Sequence, residues 1–123
     1  EYIDANVSNG ELGEFVQPLA KAFMRLQQAT GELAQRGMKN PDEAGAAATE
    51  FLHLFGLVAV GFMWARMAEI ALAKQGDDED GFYKGKLITA KFYMERVLPQ
   101  SGALFSQIMS GSSTMMALDE ELF

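Results

Sequence analysis

A run of four carboxylates, Asp77 to Asp80, is the densest group of potential metal ligands in the chain. Calcium loops place oxygen ligands at alternating positions and close with a distant bidentate glutamate, and this run has neither feature. Acidic side chains just before a helix also stabilise it by offsetting the positive end of its dipole. We therefore predict that the run caps the next helix and faces solvent, and we assign no metal site.

His53 is the only histidine, and the chain has no cysteine. The chain therefore excludes metal sites built on several imidazoles or on thiolates. It also excludes disulfides and a cysteine nucleophile. His53 lies between Leu52 and Leu54. This setting favours a hydrogen-bonded packing residue over a catalytic one, and we assign no catalytic residue.

Arg66 and Glu69 are the charged residues of an otherwise apolar segment, and they are one helical turn apart. Charges in such a place usually pair with each other or reach solvent at an edge. The alternative is a contact with another domain or subunit, which would supply a partner for a desolvated charge.

The glycines do not form a phosphate-binding loop. Residues 10–13, Gly-Glu-Leu-Gly, follow no strand pattern and fit neither a dinucleotide fold nor a P-loop. Gly56 and Gly61 each cost a helix about 1 kcal/mol relative to alanine. With Ala59, Ala65 and Ala68 nearby, they predict a close approach of a neighbouring helix, and no cofactor-binding residue can be assigned.

The balance of charge argues against two classes of partner. Ten basic and 17 acidic residues give a net charge of −7, which repels phosphates and anionic lipid, so we expect neither nucleic acid nor a membrane as a partner. The uncharged apolar run from Leu54 to Ala65 has twelve residues, short of the roughly 20 that span a bilayer. No secretory signal is visible, and the absence of cysteine fits a reducing, cytoplasmic location.

The first long helical pattern places apolar residues at spacings of 4-3-4-3-4-3, at Leu12, Val16, Leu19, Phe23, Leu26, Thr30 and Leu33. Pro18 lies inside this pattern. The helix either starts at Pro18 or begins near Gly10 and is kinked there. Gly37 is expected to end it.

The second helix has the clearest start in the sequence. Asn40 is a capping residue, Pro41 suits the first helical position, and Glu43 is placed to complete a capping box. No proline follows before Gly76, which is expected to end the helix. The stretch from Phe51 to Ala73 is apolar nearly all round and predicts a central helix buried on most sides.

The third pattern runs from Tyr83 to Ile108 and keeps its phase through Pro99. Two separate helices would have no reason to share a phase, so we predict one long helix with a bend at Pro99, ending at Gly111. The residues from Thr114 to Phe123 predict a short amphipathic tail through Met115, Leu118 and Leu122.

Short connections between long helices force neighbours to run antiparallel. The fold predicted for residues 1–123 is therefore all-α: a single up-down bundle of three long helices plus a short C-terminal helical tail, similar to a four-helix bundle. The chain begins at Glu1 without an initiator methionine, and we expect it to be a fragment of a longer protein.

Residues 82–99, FYKGKLITAKFYMERVLP, resemble the C-terminal helical region of acyl-CoA dehydrogenases, in the branch of the 3-methylmercaptopropionyl-CoA dehydrogenases. In that branch an aromatic-rich helix ending in Leu-Pro is followed by a glycine and a Met-Ala-Leu…Phe ending. Gly111, the run Met116-Ala117-Leu118, and Phe123 match that ending.

The resemblance implies an intact parent that oxidises an acyl-CoA to a 2-enoyl-CoA, with a glutamate as base and FAD as hydride acceptor. Those parts belong to an upstream core in such enzymes, and no glutamate here sits in a matching motif. The chain would then be a structural C-terminal extension that is not catalytic by itself and holds no cofactor. Its partners would be the upstream core of the same polypeptide and a second subunit, with the acyl-CoA bound by the parent.

A stand-alone helical module for protein interaction or dimerisation, without enzymatic activity, is the alternative function. An internal metal enzyme is disfavoured because the chain has no Glu-x-x-His pair.

We expect the acidic run Asp77 to Asp80 to bind neither calcium nor magnesium specifically, because it supplies too few convergent oxygens. Titration calorimetry of the purified chain with each cation should give only weak, non-saturable heats. A saturable site of micromolar affinity would contradict this expectation.

Overall fold

Helices account for the regular structure of the whole chain, which a computed structural model describes from residue 1 to residue 123. A short α1 (Tyr2–Asn6) precedes α2 (Gly10–Lys39) and α3 (Pro41–Lys74), and α3 continues into a single 3₁₀ turn (Gln75–Asp77). The third helical stretch, residues 82–110, consists of α4 (Phe82–Phe92), a π-helical turn (Tyr93–Val97), a 3₁₀ turn (Leu98–Gln100) and α5 (Ser101–Ser110). The predicted all-α bundle is confirmed.

Helix α2 begins at Gly10, so Pro18 lies inside it, as the second of the two alternatives has it. The expected stop at Gly37 is wrong, because the helix continues to Lys39. It ends there because Asn40 is extended (φ −146°, ψ 112°), the conformation that a following proline favours. The predicted cap is confirmed, since the Asn40 side chain accepts a hydrogen bond from the Asp42 amide at 3.1 Å.

The inner face of α2 differs from the predicted one at two positions. Leu12, Val16, Leu19 and Leu26 are buried as expected, but Phe23 and Thr30 are exposed. Two alanines of α2 are fully buried in the core instead, at positions 22 and 29. Helix α2 packs along α3 over its length, and small side chains permit the close approach of the two backbones.

The third stretch passes through Pro99 without a loop, as its unbroken phase predicts. Leu98 and Gln100 on either side of the proline have helical dihedral angles. A proline removes the amide that would bond four residues back. The chain absorbs this loss by widening into the π turn, where the Leu98 amide bonds to the Tyr93 carbonyl, and then by tightening into the 3₁₀ turn. Gly111 ends α5 with φ 76°, as expected.

Both ends of the chain differ from the prediction. Helix α1 was missed; its sequence signal is a capping box between Glu1 and Asp4. The C-terminal tail forms only one 3₁₀ turn, Glu120–Leu122, and its apolar side chains at positions 115, 118 and 122 are exposed. The tail therefore adds no fourth helix to the bundle.

The end of α5 is clamped to the turn between α2 and α3. Arg36 donates to the Met109 carbonyl at 3.0 Å, and the Glu43 carboxylate accepts from the Ser112 hydroxyl at 2.7 Å and from its amide at 3.3 Å. The predicted capping-box role of Glu43 is therefore wrong, because this carboxylate faces the neighbouring helix end. These bonds, with a smaller effect of the Arg36 charge, hold the pKa of Glu43 below its ordinary value.

We expect Glu43→Gln to lower the melting temperature at neutral pH and to matter less in acid. A carboxyl whose pKa is depressed by folding stabilises the fold above its ordinary pKa, and this effect disappears as the pH falls through the folded value. Thermal unfolding of both proteins between pH 7 and pH 3 should show the gap closing below about pH 4.5.

Asp42→Asn is the matched control for Glu43→Gln, because it removes a charge from the same first turn of α3 without touching Ser112. Its effect should be the smaller of the two. A Glu43→Gln gap that stays constant down to pH 3 would contradict the clamp.

Candidate functional site

Helix α3 is buried on one side only. Its buried residues form one stripe, Ala47, Leu54, Val58, Gly61, Ala65, Ala68 and Ala71, which faces α2 and the third stretch. The prediction of a helix buried on most sides is therefore wrong for this chain. Nothing in the chain covers the opposite side, although the sequence there is just as apolar.

The uncovered side of α3 carries its own regular pattern. Leu52, Gly56, Ala59, Met63, Arg66 and Ile70 follow one another at spacings of 4-3-4-3-4 and are all exposed; we call these six residues the outer stripe. Leu52 is 68% exposed and Met63 57% exposed. An a/d spacing of this kind is what a helix presents to another helix, and water-soluble surfaces seldom carry it.

A groove of about 730 Å³ runs along one flank of the outer stripe, between α1, α2 and α3. Its walls are mostly apolar and include Phe23 and Met24 from α2 with Phe55 and Phe62 from α3. We call it the first groove. The residues Glu1 to Asp4, where the described chain starts, line one end of it.

A second groove of about 640 Å³ runs along the other flank, between α3 and the stretch from the π turn into α5. Leu52, Gly56 and Val60 form one wall, and Val97 and Leu104 form the other. We call it the second groove. The outer stripe is thus a ridge between two apolar grooves.

The only histidine lies at the edge of the second groove. His53 is exposed and makes no side-chain hydrogen bond within the chain. Its interpretation as a hydrogen-bonded packing residue is therefore wrong. Of the two apolar neighbours that suggested burial, Leu54 is buried in the core, but Leu52 is 68% exposed and lies with His53 on the uncovered side of α3.

Arg66 and Glu69 pair with each other, as the simpler of the two interpretations has it, with 3.3 Å between Nε and Oε2. Arg66 also lies over the ring of Tyr2 at 5.2 Å, and Phe62 meets that ring edge-on at 5.3 Å. These contacts hold α1 on the first groove. The Tyr2 hydroxyl is buried near Glu69, and burial, reinforced by the Glu69 carboxylate, raises the pKa of Tyr2 to about 12.

A polar cleft of about 640 Å³ separates α2 from the third stretch near the two prolines. Lys21, Arg25 and Lys91 line it together with Glu14 and Glu95. Lys91 lies 3.7 Å from Glu14, and Arg25 donates to the hydroxyl of Ser101 at 2.9 Å. The cleft thus braces two helices with mixed charges, and it contains no nucleophile paired with a base.

The acidic run acts as a helix cap through one of its members. The two carboxylate oxygens of Asp78 accept hydrogen bonds from the amides of Tyr83 at 3.1 Å and Lys84 at 2.9 Å. Both oxygens are thus committed to the start of α4. No three acidic or histidine side chains of the chain converge on one point.

Residues Pro41–Asp77 are long and apolar enough to cross a membrane by length and composition, and only 22% of their most apolar window is buried. The core helix of a water-soluble protein meets the same criterion. Here α2 lies along α3 with exposed charges, among them Lys21 and Glu14. The inner side of α3 is covered by α2 and the third stretch, as in such a core helix.

The chain is similar in sequence to known proteins. The family model described as acetyl-CoA dehydrogenase C-terminal like matches residues 1–119. The chain is 30% identical over 133 aligned residues to the broad-specificity linear acyl-CoA dehydrogenase FadE5 of Mycobacterium tuberculosis, covering all of the chain and 22% of that protein. It is 31% identical over 103 residues to the 3-methylmercaptopropionyl-CoA dehydrogenase of Ruegeria pomeroyi, covering 81% of the chain and 17% of that protein. The chain thus spans about a fifth of the length of these relatives.

The two glycines of α3 face opposite sides and should respond differently to substitution. A Cβ at Gly56 meets nothing within 4 Å, whereas a Cβ at Gly61 lies 3.4 Å from methyl carbons of Leu19 and Leu98. In denaturant unfolding of the purified chain, Gly56→Ala should stabilise by about 1 kcal/mol through helix propensity. Gly61→Leu should destabilise by about 1–3 kcal/mol through overpacking. The reverse order of stability would contradict the assignment of inner and outer sides.

Proposed function

The chain belongs to the acetyl-CoA dehydrogenase C-terminal-like family, and on that premise we propose that it is the C-terminal helical domain of a larger, FAD-dependent acyl-CoA dehydrogenase. The observation that carries the proposal is the match of residues 1–119 to the family, together with two relatives that are both named as acyl-CoA dehydrogenases. The parent would remove a proton from the α carbon and a hydride from the β carbon of an acyl-CoA. The product would be a 2-enoyl-CoA, with both electrons on the flavin.

The glycines at the start of α2 do not form a loop that could hold the diphosphate of a flavin cofactor. The glycines at positions 10 and 13 belong to the start of α2, and a Cβ at Gly13 would lie 3.0 Å from the carbonyl oxygen of Val7. The close approach at Gly13 is therefore used by the chain's own backbone rather than left for a diphosphate. We assign FAD to the rest of the polypeptide and derive no step through it here.

Several carboxylates of the chain are committed to structure, which leaves them poor candidates for the base. Glu43 bonds to Ser112, Asp78 caps α4, and Glu32 and Glu69 each pair with an arginine. A base for this reaction must stand beside the α carbon of the substrate in a site closed to water. We therefore assign the catalytic glutamate to the upstream core and a structural role to this domain.

We place the parent in the cytoplasm, as the lack of cysteine in this domain favours, and expect it to form a homo-oligomer. The stand-alone interaction module is the weaker candidate, because it would give no account of the two dehydrogenase relatives.

The proposal is tested by comparing the 123-residue chain with the full-length polypeptide. We expect the full-length protein to be yellow and to reduce an artificial electron acceptor with acyl-CoA, because it would contain both the flavin and the base. The 123-residue chain should be colourless, strongly helical by circular dichroism, and inactive with acyl-CoAs of every length.

A flavin spectrum or turnover in the 123-residue chain would contradict the structural role. A full-length protein that neither binds flavin nor oxidises any acyl-CoA would contradict the assignment of the parent.

A further inference from the structure

We propose that the outer stripe and the two grooves beside it form the docking surface for helices contributed by the preceding part of the same polypeptide. This inference rests on the proposed function, since it requires a parent protein that is longer than the chain described. It identifies which side of the domain meets the core and which kind of element lies there.

The shape of the surface fits helices. The outer stripe has the a/d spacing of a helix–helix seam, and packed helices lie 8–10 Å apart with the ridge of one in the groove of another. Leu52 and Gly56 belong to the ridge and also line the second groove, while Ala59 belongs to the ridge and lines the first. A helix in either groove would therefore contact the ridge as well.

The inner side of α3 shows what a covered stripe of this composition looks like. There, Gly61 admits Leu19, Leu98 and the Tyr93 ring to within 3.5 Å of where its Cβ would be. On the outer side, Gly56 has nothing within 4 Å of the same point. A glycine in the middle of a helix lowers stability, and at Gly61 close packing offsets this cost. The outer glycine has the same cost and no neighbour within this chain.

The position of Glu1 favours the preceding part of the same polypeptide as the partner that covers this surface. Residues Glu1 to Asp4 line the first groove, and α1 is held there by the contacts of Tyr2 with Phe62 and Arg66. A polypeptide that leads into Glu1 therefore reaches the domain at one end of the first groove. The relatives are about five times longer than the part they share with this chain, which provides ample sequence for such helices.

A second copy of the chain and an anionic lipid surface are the other possible occupants of this surface, and charge disfavours both. A second copy of the chain would bring two domains of net charge −7 together, with Glu1 and Asp4 at the rim of the contact. An anionic lipid surface would be repelled in the same way. Helices with an apolar face and basic residues near the rim of the first groove satisfy both the stripe and the acidic chain start.

The surface is tested by the rate at which a maleimide labels introduced cysteines in the folded full-length protein, read for each peptide by mass spectrometry. Met63→Cys probes the outer stripe. Met38→Cys is the matched control, because Met38 is 90% exposed at the far end of α2. We expect labelling at position 63 to be at least tenfold slower than at position 38 in the folded protein, and the two rates to be equal in denaturant.

A second pair of variants keeps the test decisive if Met63→Cys fails to fold. Ala59→Cys lies on the outer stripe and Ala34→Cys lies on exposed α2, and both replace a small residue by one of similar size. The same tenfold difference is expected between them.

Three results would overturn the inference. The first is equal labelling at the stripe and control positions in the folded full-length protein. The second is protection that disappears when the protein is diluted until mass photometry shows single subunits only. The surface would then be covered by a second copy of the protein. The third is protection that appears only with vesicles of anionic phospholipid. Acyl-CoA oxidation by the unsubstituted full-length protein is measured in parallel, so that a failure of the proposed function is seen separately from a failure of this surface.

Discussion

The meeting of three helices around Gly61 is the contact on which the rest of the bundle depends. Leu19 of α2 and Leu98 and Tyr93 of the third stretch all lie 3.4–3.5 Å from where a Cβ of Gly61 would be, which leaves no room there for a side chain larger than a methyl group. The Tyr93 hydroxyl then donates to the Leu57 carbonyl of α3 at 2.8 Å, which satisfies a polar group inside an apolar layer. Burial of that ring also raises the pKa of Tyr93, so the hydroxyl stays protonated as a donor.

The π turn before Pro99 begins at Tyr93, one of the residues of that contact. Tyr93 and Met94, at the start of the π turn, are both buried. Leu98 is buried just after them. Three side chains of the irregular turns are thus part of the core, and Pro99 favours the irregularity because the amide that a regular helix needs is absent at position 99.

The sequence predicts most of the fold because its boundaries are local. Asn40 and Gly111 act through their own backbone preferences, and the phase of the third stretch through Pro99 needs only the order of apolar residues. What was not predicted depends on distant partners. Glu43 has the spacing of a capping box, but its bond to Ser112 joins residues 69 positions apart. The burial of Ala22 and Ala29 in place of Phe23 and Thr30 likewise depends on a distant partner, because α3 packs against this side of α2.

The candidate site shows the same division. Apolar residues all round α3 predict contacts on all sides, but a pattern of residue types does not say whether the contacts come from within the chain. Here one side is met by α2 and the third stretch, and the other is not. The role of Asp78 as a cap was predictable because cap and helix are neighbours in sequence. The exposure of His53 was not, because it depends on the absence of a neighbour on that side.

A single residue, Asn40, joins α2 to α3, and the two opposite sides of α3 can only rotate together. The buried stripe and the outer stripe lie on opposite faces of one helix. Because the connection at Asn40 is one residue long, it restricts the rotation of α3 about its axis. Each residue added to a helix rotates everything beyond it by about 100°, from 3.6 residues per turn. A one-residue insertion in the middle of α3 would therefore carry both stripes away from their neighbours together. An insertion of seven residues, nearly two full turns, would leave both in phase. Length changes in this helix are thus constrained to nearly whole numbers of turns, such as about seven or about eleven residues, whatever lies on its outer side.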